Sequence, residues 1–255
     1  MDRHIDFDGI ENFRDFGGYA TRCGRGVKRQ RLFRSAHHAA ATEADLARLT
    51  DLGIEVVVDL RRPSERRREP CRHETFARQV IASDLDDHDA WVENARAGEL
   101  DAEWFRNDCR HFYALTPFEG RHVELFSRWF HALAQAEGAV LVHCAAGKDR
   151  TGMICALTHH ICGVHEDDIV ADYLLTNEES RITRRMASLG DFLEQNLGRR
   201  PADEALRVGV SVAPEYLHIA FDRMAEECGS IDGYLTEVLG VDAGLREKIA
   251  AKVLG

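Results

Sequence analysis

The stretch Val140-Leu141-Val142-His143-Cys144-Ala145-Ala146-Gly147-Lys148-Asp149-Arg150-Thr151-Gly152 combines the end of a strand, a tight loop and the start of a helix. Residues 139–142 are apolar and partly β-branched, which is typical of a strand buried on both faces. From Thr151 to Ile161 apolar residues recur at helical spacing, and Gly163 provides a C-terminal stop. This order predicts a loop held between a buried strand and the N-terminus of a helix.

The residues of that loop predict an anion site with a reactive thiol. A loop that enters a helix directs backbone N–H groups toward the positive end of the helix dipole, where anions bind. A helix N-terminus with nearby Arg or Lys lowers the pKa of a cysteine from about 8.5 to about 3.5–7.5, so we expect Cys144 to be ionised. The planar guanidinium of Arg150 can hold two oxygens of a phosphate. Thr151 can donate its hydroxyl to the sulfur.

The same residues resemble a known family. Cys144 to Arg150 fits the C-x5-R signature of cysteine-dependent phosphatases, and the fuller form His-Cys-x-x-Gly-Lys-Asp-Arg-Thr-Gly resembles the atypical bacterial tyrosine phosphatases with dual or triple specificity for protein and phosphoinositide substrates. Further segments stand in the order that this family shows: Asn12–Gly18, Phe33–Ser35, Val58–Arg61 and Asp172–Asn177. The resemblance covers about residues 10–180 and, more loosely, the helical tail.

We expect the mechanism of such an enzyme to need no metal and no cofactor. The Cys144 thiolate attacks phosphorus and forms a cysteinyl-phosphate, which water then hydrolyses. The equatorial oxygens are bound by Arg150 and by the loop amides, which belong to Ala145, Ala146, Gly147, Lys148, Asp149 and Arg150 itself. The expected substrates are phosphotyrosine proteins or phosphoinositide headgroups.

Two roles are open for Asp149 in the transfer of a proton to the leaving oxygen. The resemblance implies Asp149, and a carboxylate at the mouth of the loop can reach the departing oxygen. The alternative is that Asp149 positions Arg150 or water, because a helix N-terminus favours an ionised carboxylate. The chain contains no Trp-Pro-Asp tripeptide, which supplies the acid in many phosphatases. The resemblance also links Lys148 to phosphoinositide activity, so we expect this residue to meet a second phosphate.

Composition narrows the class of protein. The chain has 255 residues, of which 44% are hydrophobic, and this predicts a single domain spanning residues 1–255. The net charge of −11 disfavours nucleic acid as a partner. No apolar run reaches the roughly 20 residues of a membrane helix, and the charged N-terminus lacks the apolar core of a signal peptide. We therefore expect no integral membrane segment and a cytoplasmic location, although export without a cleaved signal is compatible with this N-terminus.

Cysteine and histidine spacing gives no metal-ligand or disulfide pattern. The seven cysteines are odd in number and scattered, which indicates a reducing compartment. Adjacent histidines on a helix point in different directions, so we expect no metal at His37-His38 or His159-His160. Cys155 and Cys162 fit the core of the helix after the loop. The alternative for them is a protective disulfide with Cys144 under oxidation.

The remaining pattern predicts an α/β fold with a central, mostly parallel sheet flanked by helices. Strands are predicted at residues 31–35, 54–60 and 79–82, and amphipathic helices at 42–52 and 121–136. The resemblance places strand 54–60 beside the strand that leads to Cys144. We expect residues 181–255 to form a helical C-terminal part, with breaks at 198–201, 229 and 240.

Asp59 and Arg61 stand at the C-terminal end of a predicted strand, where open α/β sheets bind ligands. For Asp59 two roles are open: a structural contact with loop amides or an arginine, or a part in proton handling. We assign both residues to the predicted substrate site. The basic run 61–68 is either a solvated face or a source of positive field for a phosphorylated headgroup.

Residues 84–118 combine an acidic cluster with aromatic residues and predict two short helices. The cluster consists of Asp84, Asp86, Asp87 and Asp89. The resemblance implies that this segment is a lid over the site, and the alternative is an ordinary surface subdomain.

Two other functions use a similar loop. One is a catalytically silent module that binds a phosphorylated ligand, and the other is a sulfurtransferase or arsenate reductase with a loop-borne cysteine. A nucleotide-binding loop is excluded, because Val142 stands where its first glycine is required and Asp149 replaces its Ser or Thr.

Overall fold

A computed structural model describes residues 3–85 and 90–255 of the chain. Three of the four aspartates in the acidic cluster, Asp86, Asp87 and Asp89, lie outside the described residues. The strands are β1 (Arg14–Asp15), β2 (Leu32–Ser35), β3 (Ile54–Asp59), β4 (Gln79–Ile81) and β5 (Ala139–His143). The helices are α1 (Glu43–Asp51), α2 (Pro63–Arg68), α3 (Trp91–Ala97), α4 (Ala102–Leu115), α5 (Gly120–Gln135), α6 (Asp149–Cys162), α7 (Glu166–Leu174), α8 (Glu179–Leu197), α9 (Asp203–Val210), α10 (Pro214–Cys228), α11 (Ile231–Glu237) and α12 (Ala243–Val253).

The strands form one sheet in the order β1-β2-β5-β3-β4. Strands β2, β5, β3 and β4 are parallel, and β1 pairs with β2 in the antiparallel direction. The predicted mixed α/β class with a mostly parallel sheet is therefore confirmed. Strand β5 lies at the centre with β3 at its side, as the family resemblance implied, and Asp59 pairs in register with His143.

Strand β5 is buried on both faces, which explains its unbroken apolar sequence. Val140 and Val142 contribute to the large core that also contains Phe126 and Phe130 of α5. Ala139 and Leu141 point to the other face and join the core that contains Leu46 and Leu49 of α1. Successive side chains of a strand alternate between its two faces. Both faces of β5 are therefore apolar, and helices cover the sheet on both sides.

Local sequence signals set several element boundaries. The Thr42 side chain accepts a hydrogen bond from the Asp45 backbone N–H, and the Asp45 carboxylate accepts one from the Thr42 N–H, which forms a capping box at the start of α1. Helix α6 ends at Gly163, whose φ of +76° is left-handed. The predicted strand 54–60 extends one residue beyond the end of β3, and the predicted helix 121–136 is displaced by one residue from α5 at both ends.

The segment predicted as a lid contains the two expected helices, α3 and α4. A separate apolar cluster joins these helices to α8 and α9, and it contains Ala95, Leu100, Phe105, Leu193, Ala205 and Leu206. The helical tail has its predicted breaks between α8 and α9, at Gly229 and at Gly240. Among the described residues, no helix has the length and apolar character needed to cross a bilayer.

Candidate active site

The loop 144–148 begins where β5 leaves the sheet and ends at the first turn of α6. Cys144 lies at its base and is 2% exposed. Gly147 has a φ of +64°, and a Cβ at this position would lie 2.3 Å from the carbonyl oxygen of Ser35. A side chain at residue 147 would therefore push the loop away from strand β2, so the glycine is needed for the tight turn.

Side chains outside the loop hold its carbonyl groups. The Asn12 side-chain amide donates to the Gly147 oxygen at 2.8 Å, and Arg34 donates to the same oxygen at 3.0 Å. The Ala145 oxygen accepts from the His37 backbone N–H at 3.2 Å and from Arg185 at 3.4 Å. In the described part of the chain, the N–H groups of residues 145–148 donate to no protein acceptor. They are therefore available to an anion.

A buried ion-pair network supports the groups that hold the loop. Asp172 on α7 accepts from Arg34 at 3.1 Å, and its carboxylate lies 3.7 Å from Arg14. Burial raises the pKa of Asp172, but the attraction of the two arginines prevails and lowers it. Because Arg34 bonds both Asp172 and the loop, this network fixes the position of α7 relative to the Gly147 carbonyl.

Glu65 on α2 binds the guanidinium of Arg150 with both carboxylate oxygens. The two hydrogen bonds are 2.6 and 2.8 Å long, and both side chains are 11% exposed. Burial opposes the charges, but their mutual attraction raises the pKa of Arg150 well above its ordinary value and lowers that of Glu65 to about 2. The pair fixes the orientation of the guanidinium beside the loop.

We predict that Glu65→Gln lowers the free energy of unfolding by about 2–3 kcal/mol at neutral pH, because Arg150 then lies beside a neutral amide. The folded-state pKa of Glu65, about 2, is below its ordinary value of 4.5. Its contribution to stability is therefore present above about pH 4.5 and is lost as the pH falls toward about 2. Denaturant unfolding at a series of pH values measures this difference, and the two proteins are expected to converge in acid.

The matched control is Glu103→Gln, which removes a carboxylate that is 56% exposed and paired with Arg106 and Arg110. Exposed pairs contribute little, so this change is expected to have a small effect. An equal loss of stability in both variants, or a difference for Glu65→Gln that does not change with pH, would contradict the predicted role of the buried pair.

Asp149 is held by a chain of two tyrosine hydroxyls. Tyr113 on α4 donates to Oδ1 of Asp149 at 3.0 Å, and the hydroxyls of Tyr113 and Tyr173 are 2.6 Å apart. Burial raises the pKa of both tyrosines well above the ordinary value, so they remain protonated donors. The segment 84–118 therefore contacts the predicted proton donor directly through α4.

Lys148 reaches the helical tail rather than open solvent. Its ammonium donates to the backbone oxygens of Gly209 at 2.7 Å and Ser211 at 3.3 Å, and it lies 3.6 Å from Asp149. The residue is only 6% exposed. A second phosphate at this position would therefore compete with the main chain for the donors of Lys148, and its role in substrate binding stays a prediction.

Asp59 and Arg61 bind each other beneath the loop. Both are 1% exposed, and three of the hydrogen bonds between them measure 2.7, 2.9 and 3.0 Å. These contacts match the structural role considered for Asp59, while substrate contact by either residue stays a prediction.

The Thr151 hydroxyl is buried without a hydrogen-bond partner among the described residues, so it makes no bond to the Cys144 sulfur in this structure.

Several residues around the loop were not assigned a role from the sequence. These are Asn12, Arg34, Glu65, Tyr113 and Asp172. Asn12, Arg34 and Asp172 lie in segments that show the family resemblance, and this resemblance could have indicated a role for them at the site. Glu65 stands inside a basic run and Tyr113 among scattered aromatic residues. Only the folded chain brings these two to Arg150 and Asp149.

Comparison with known proteins gives the family. The family model described as "Tyrosine phosphatase family" matches residues 5–255. A Cupriavidus necator protein named "putative tyrosine-protein phosphatase" is 34% identical over 94% of this chain and 86% of its own length. The triple specificity protein phosphatase PtpB of Mycobacterium tuberculosis is 29% identical over 98% and 97%.

Two further similarities are more limited. A tyrosine-protein phosphatase of Nostoc commune is 31% identical over 56% of this chain and 47% of its own length. The core catalytic domain of the PP-IP phosphatase SIW14 from S. cerevisiae aligns with 82% of this chain and 91% of that chain, at 12% identity and a TM-score of 0.27, which supports no conclusion. The family model and the Cupriavidus relative each span nearly the whole chain, and together with the loop geometry they show that this chain belongs to the tyrosine phosphatase family.

Proposed function

We propose that the chain is a cysteine-dependent phosphatase that hydrolyses phosphotyrosine in proteins through a cysteinyl-phosphate. The observation that supports this most strongly is the loop itself. Its N–H groups face no protein acceptor among the described residues, the thiol of Cys144 lies at its base, and Arg150 is fixed beside it by Glu65. Such a site binds a tetrahedral oxyanion next to a nucleophilic sulfur.

The proposed reaction has two displacements at phosphorus. The Cys144 thiolate forms a sulfur–phosphorus bond while the bond to the tyrosyl oxygen breaks, and that oxygen takes up a proton. Water then attacks phosphorus, the sulfur–phosphorus bond breaks, and inorganic phosphate leaves with the thiolate restored. Arg150 and the loop amides stabilise the charge on the equatorial oxygens in both steps, since phosphoryl transfer depends mainly on positioning and electrostatics.

The direct test is hydrolysis of para-nitrophenyl phosphate and of a phosphotyrosine peptide under reducing conditions, with and without vanadate. We expect turnover that vanadate abolishes. Binding of a phosphopeptide without turnover would instead favour a silent phospho-ligand module, and turnover of thiosulfate would favour a sulfurtransferase. The family comparisons do not favour either alternative.

We propose Asp149 as the proton donor and Tyr113 as the residue that positions it, since the Tyr113 hydroxyl bonds its carboxylate. Tyr113→Phe is expected to lower kcat for a phosphotyrosine peptide by about tenfold, about 1.4 kcal/mol. A substrate whose leaving group needs no proton should lose much less. Kinetics as a function of pH and of leaving-group acidity measure the effect.

The control for Tyr113→Phe is Tyr234→Phe, which removes another buried hydroxyl, bonded to the Pro117 oxygen at 2.6 Å. It should leave both substrates unchanged. If Tyr113→Phe and Asp149→Asn both keep the pH profile and leaving-group dependence of the parent enzyme, the proton-donor assignment is wrong.

We further propose that phosphoinositides, and phosphoserine or phosphothreonine proteins, are additional substrates. The support is the Gly-Lys-Asp-Arg-Thr-Gly sequence of the loop and a relative that is named a triple specificity protein phosphatase. A panel of phosphotyrosine, phosphoserine and phosphoinositide substrates at matched concentrations compares these classes directly.

For Lys148→Ala we predict retained turnover of a small aryl phosphate and loss of phosphoinositide turnover, by about tenfold or more, because a second phosphate loses its cation. A lower Tm is also expected, since Lys148 binds the main chain at Gly209 and Ser211. Initial rates on the aryl phosphate and on the phosphoinositide measure the difference between the two losses of activity. The control is Lys248→Ala, an exposed lysine on α12, and equal losses on both substrates would refute a special role for Lys148.

We propose that residues 1–255 form one domain and that residues 84–118 act as a lid, supported by the contact of Tyr113 with Asp149. A cytoplasmic location is supported by the seven cysteines, which are all free thiols.

A further inference from the structure

Three buried histidines from distant parts of the chain meet beneath the loop. His38 follows β2, His73 begins a 3-10 turn, and His143 is the last residue of β5, directly before Cys144. They are 1%, 5% and 0% exposed. One ring nitrogen of each lies within 4.8 Å of one ring nitrogen of the others. Sequence spacing alone does not connect them, because the only histidine pairs it shows are adjacent residues.

We propose that His38, His73 and His143 form a binding site for a divalent transition-metal cation of the Zn²⁺ type. Imidazole nitrogen is a preferred ligand of Zn²⁺, and three histidines with one open position are a common ligand set. At Zn–N distances of about 2.0–2.1 Å, a tetrahedral ion requires nitrogens about 3.3 Å apart. The Nε2 atoms of His73 and His143 are already 3.0 Å apart, so small ring movements complete the site.

Hydrogen bonding determines which lone pairs are available. The Ser35 hydroxyl donates to the Ala36 oxygen at 2.8 Å, so its 2.9 Å bond with Nε2 of His38 requires that nitrogen to carry the proton. Nδ1 of His38 is then a bare acceptor, and it is buried without a partner in the described part of the structure. A buried lone pair without a partner lowers the stability of the fold, unless a proton donor or a cation binds it.

Hydrogen bonds also fix which nitrogens carry protons in His143 and His73. Nδ1 of His143 lies 3.1 Å from the Cys144 carbonyl oxygen, which can only accept, so Nε2 of His143 carries the second bare lone pair. Nε2 of His73 then donates its proton to Nε2 of His143. When a cation takes the place of that proton between the rings, the proton moves from Nε2 to Nδ1 of His73, and this ring remains neutral.

The surroundings keep the ligands in the form that binds a metal. Burial lowers the pKa of His38 and His143 well below the ordinary value and lowers that of His73, so all three rings are neutral at neutral pH. The nearest fixed charges form a balanced pair: Oδ2 of Asp59 lies 3.7 Å from Nε2 of His143, and Arg61 binds Asp59. The guanidinium is thus partly neutralised, which reduces its repulsion of a cation.

The experiment uses the full-length protein with the Cys144→Ser substitution, because the loop thiol is itself a possible metal ligand. After incubation with Co²⁺ or Zn²⁺ and dialysis, metal content is measured by mass spectrometry, and Co²⁺ geometry by its visible d–d absorption. We expect one bound ion per chain with the bands of tetrahedral Co²⁺. The variants His73→Gln and His38→Gln are expected to weaken binding by more than about 100-fold, since the loss of a residue that only orients a metal ligand already costs about 10–100-fold.

Glutamine at residue 73 can still donate to His143, so this variant removes the ligand while preserving the hydrogen bond. The control His131→Gln makes the same substitution at an exposed histidine on α5 and should bind as the parent does. Tm and circular dichroism identify any variant that does not fold. If one of the two ligand variants fails to fold, metal binding by the other one tests the proposal. Absence of the stoichiometric ion in the Cys144→Ser protein, or equal binding by folded His73→Gln and the parent, would overturn the proposal.

Discussion

Cys144→Ser is expected to lower kcat/KM for a phosphotyrosine peptide by at least about 10⁴-fold, because a serine hydroxyl in this loop is a far poorer nucleophile than a thiolate and no other thiol lies in the loop. The change replaces one atom in a residue that is 2% exposed, so the fold and the anion site should persist. We therefore expect tungstate binding by calorimetry to change by less than about tenfold while turnover disappears. A burst of para-nitrophenol in the parent enzyme, absent from the variant, would report the cysteinyl-phosphate directly.

The matched control for Cys144→Ser is Cys155→Ser, in the second turn of α6. Cys155 is 1% exposed, and burial raises the pKa of its thiol to about 12, so this sulfur is a poor nucleophile at neutral pH. Serine here should lower stability without a comparable loss of turnover. If Cys144→Ser keeps more than about one hundredth of the parent activity, the proposed nucleophile is wrong.

The parts of the fold that follow from short-range patterns were predictable from the sequence. Strand β5, the start of α1 at Thr42 and the end of α6 at Gly163 depend on residues within a few positions of one another. The parallel order of β3 beside β5 also followed, in part from the strand–helix–strand pattern and in part from the family resemblance. These elements were located to within one or two residues, as helix and strand ends usually are.

The groups that complete the site were not predictable in the same way. Glu65 stands between arginines in a run that resembled a solvated face, yet the fold of α2 turns it inward to Arg150. Tyr113 is far from Asp149 in the chain, and only the packing of α4 brings it there. The histidine cluster likewise depends on three separate elements meeting. Contacts between distant residues have no local periodicity, so a single sequence gives no signal for them.

Arg150→Lys is expected to lower kcat/KM by about 10³-fold on both aryl phosphates and phosphopeptides. The substitution keeps a positive charge but removes the planar fork, so neither two substrate oxygens nor the two oxygens of Glu65 can be bound at once. The loss should fall mainly on kcat, because the guanidinium stabilises charge that develops as the bonds to phosphorus rearrange. Steady-state kinetics, with tungstate binding as a measure of ground-state anion affinity, separate these contributions.

The control for Arg150→Lys is Arg207→Lys, which alters another arginine that binds a glutamate with two nitrogens, but at a surface where the side chain is 51% exposed. It should keep parent activity. Glu65→Gln provides the second comparison, because it retains the guanidinium and loses only the charge that fixes it. If Arg150 acts on the substrate, Arg150→Lys must lose much more activity than Glu65→Gln, and the double variant should be little worse than Arg150→Lys alone, since Glu65 acts through Arg150. Equal losses in the two single variants would show that the pair only maintains the fold, and the proposed role of Arg150 in phosphoryl transfer would be abandoned.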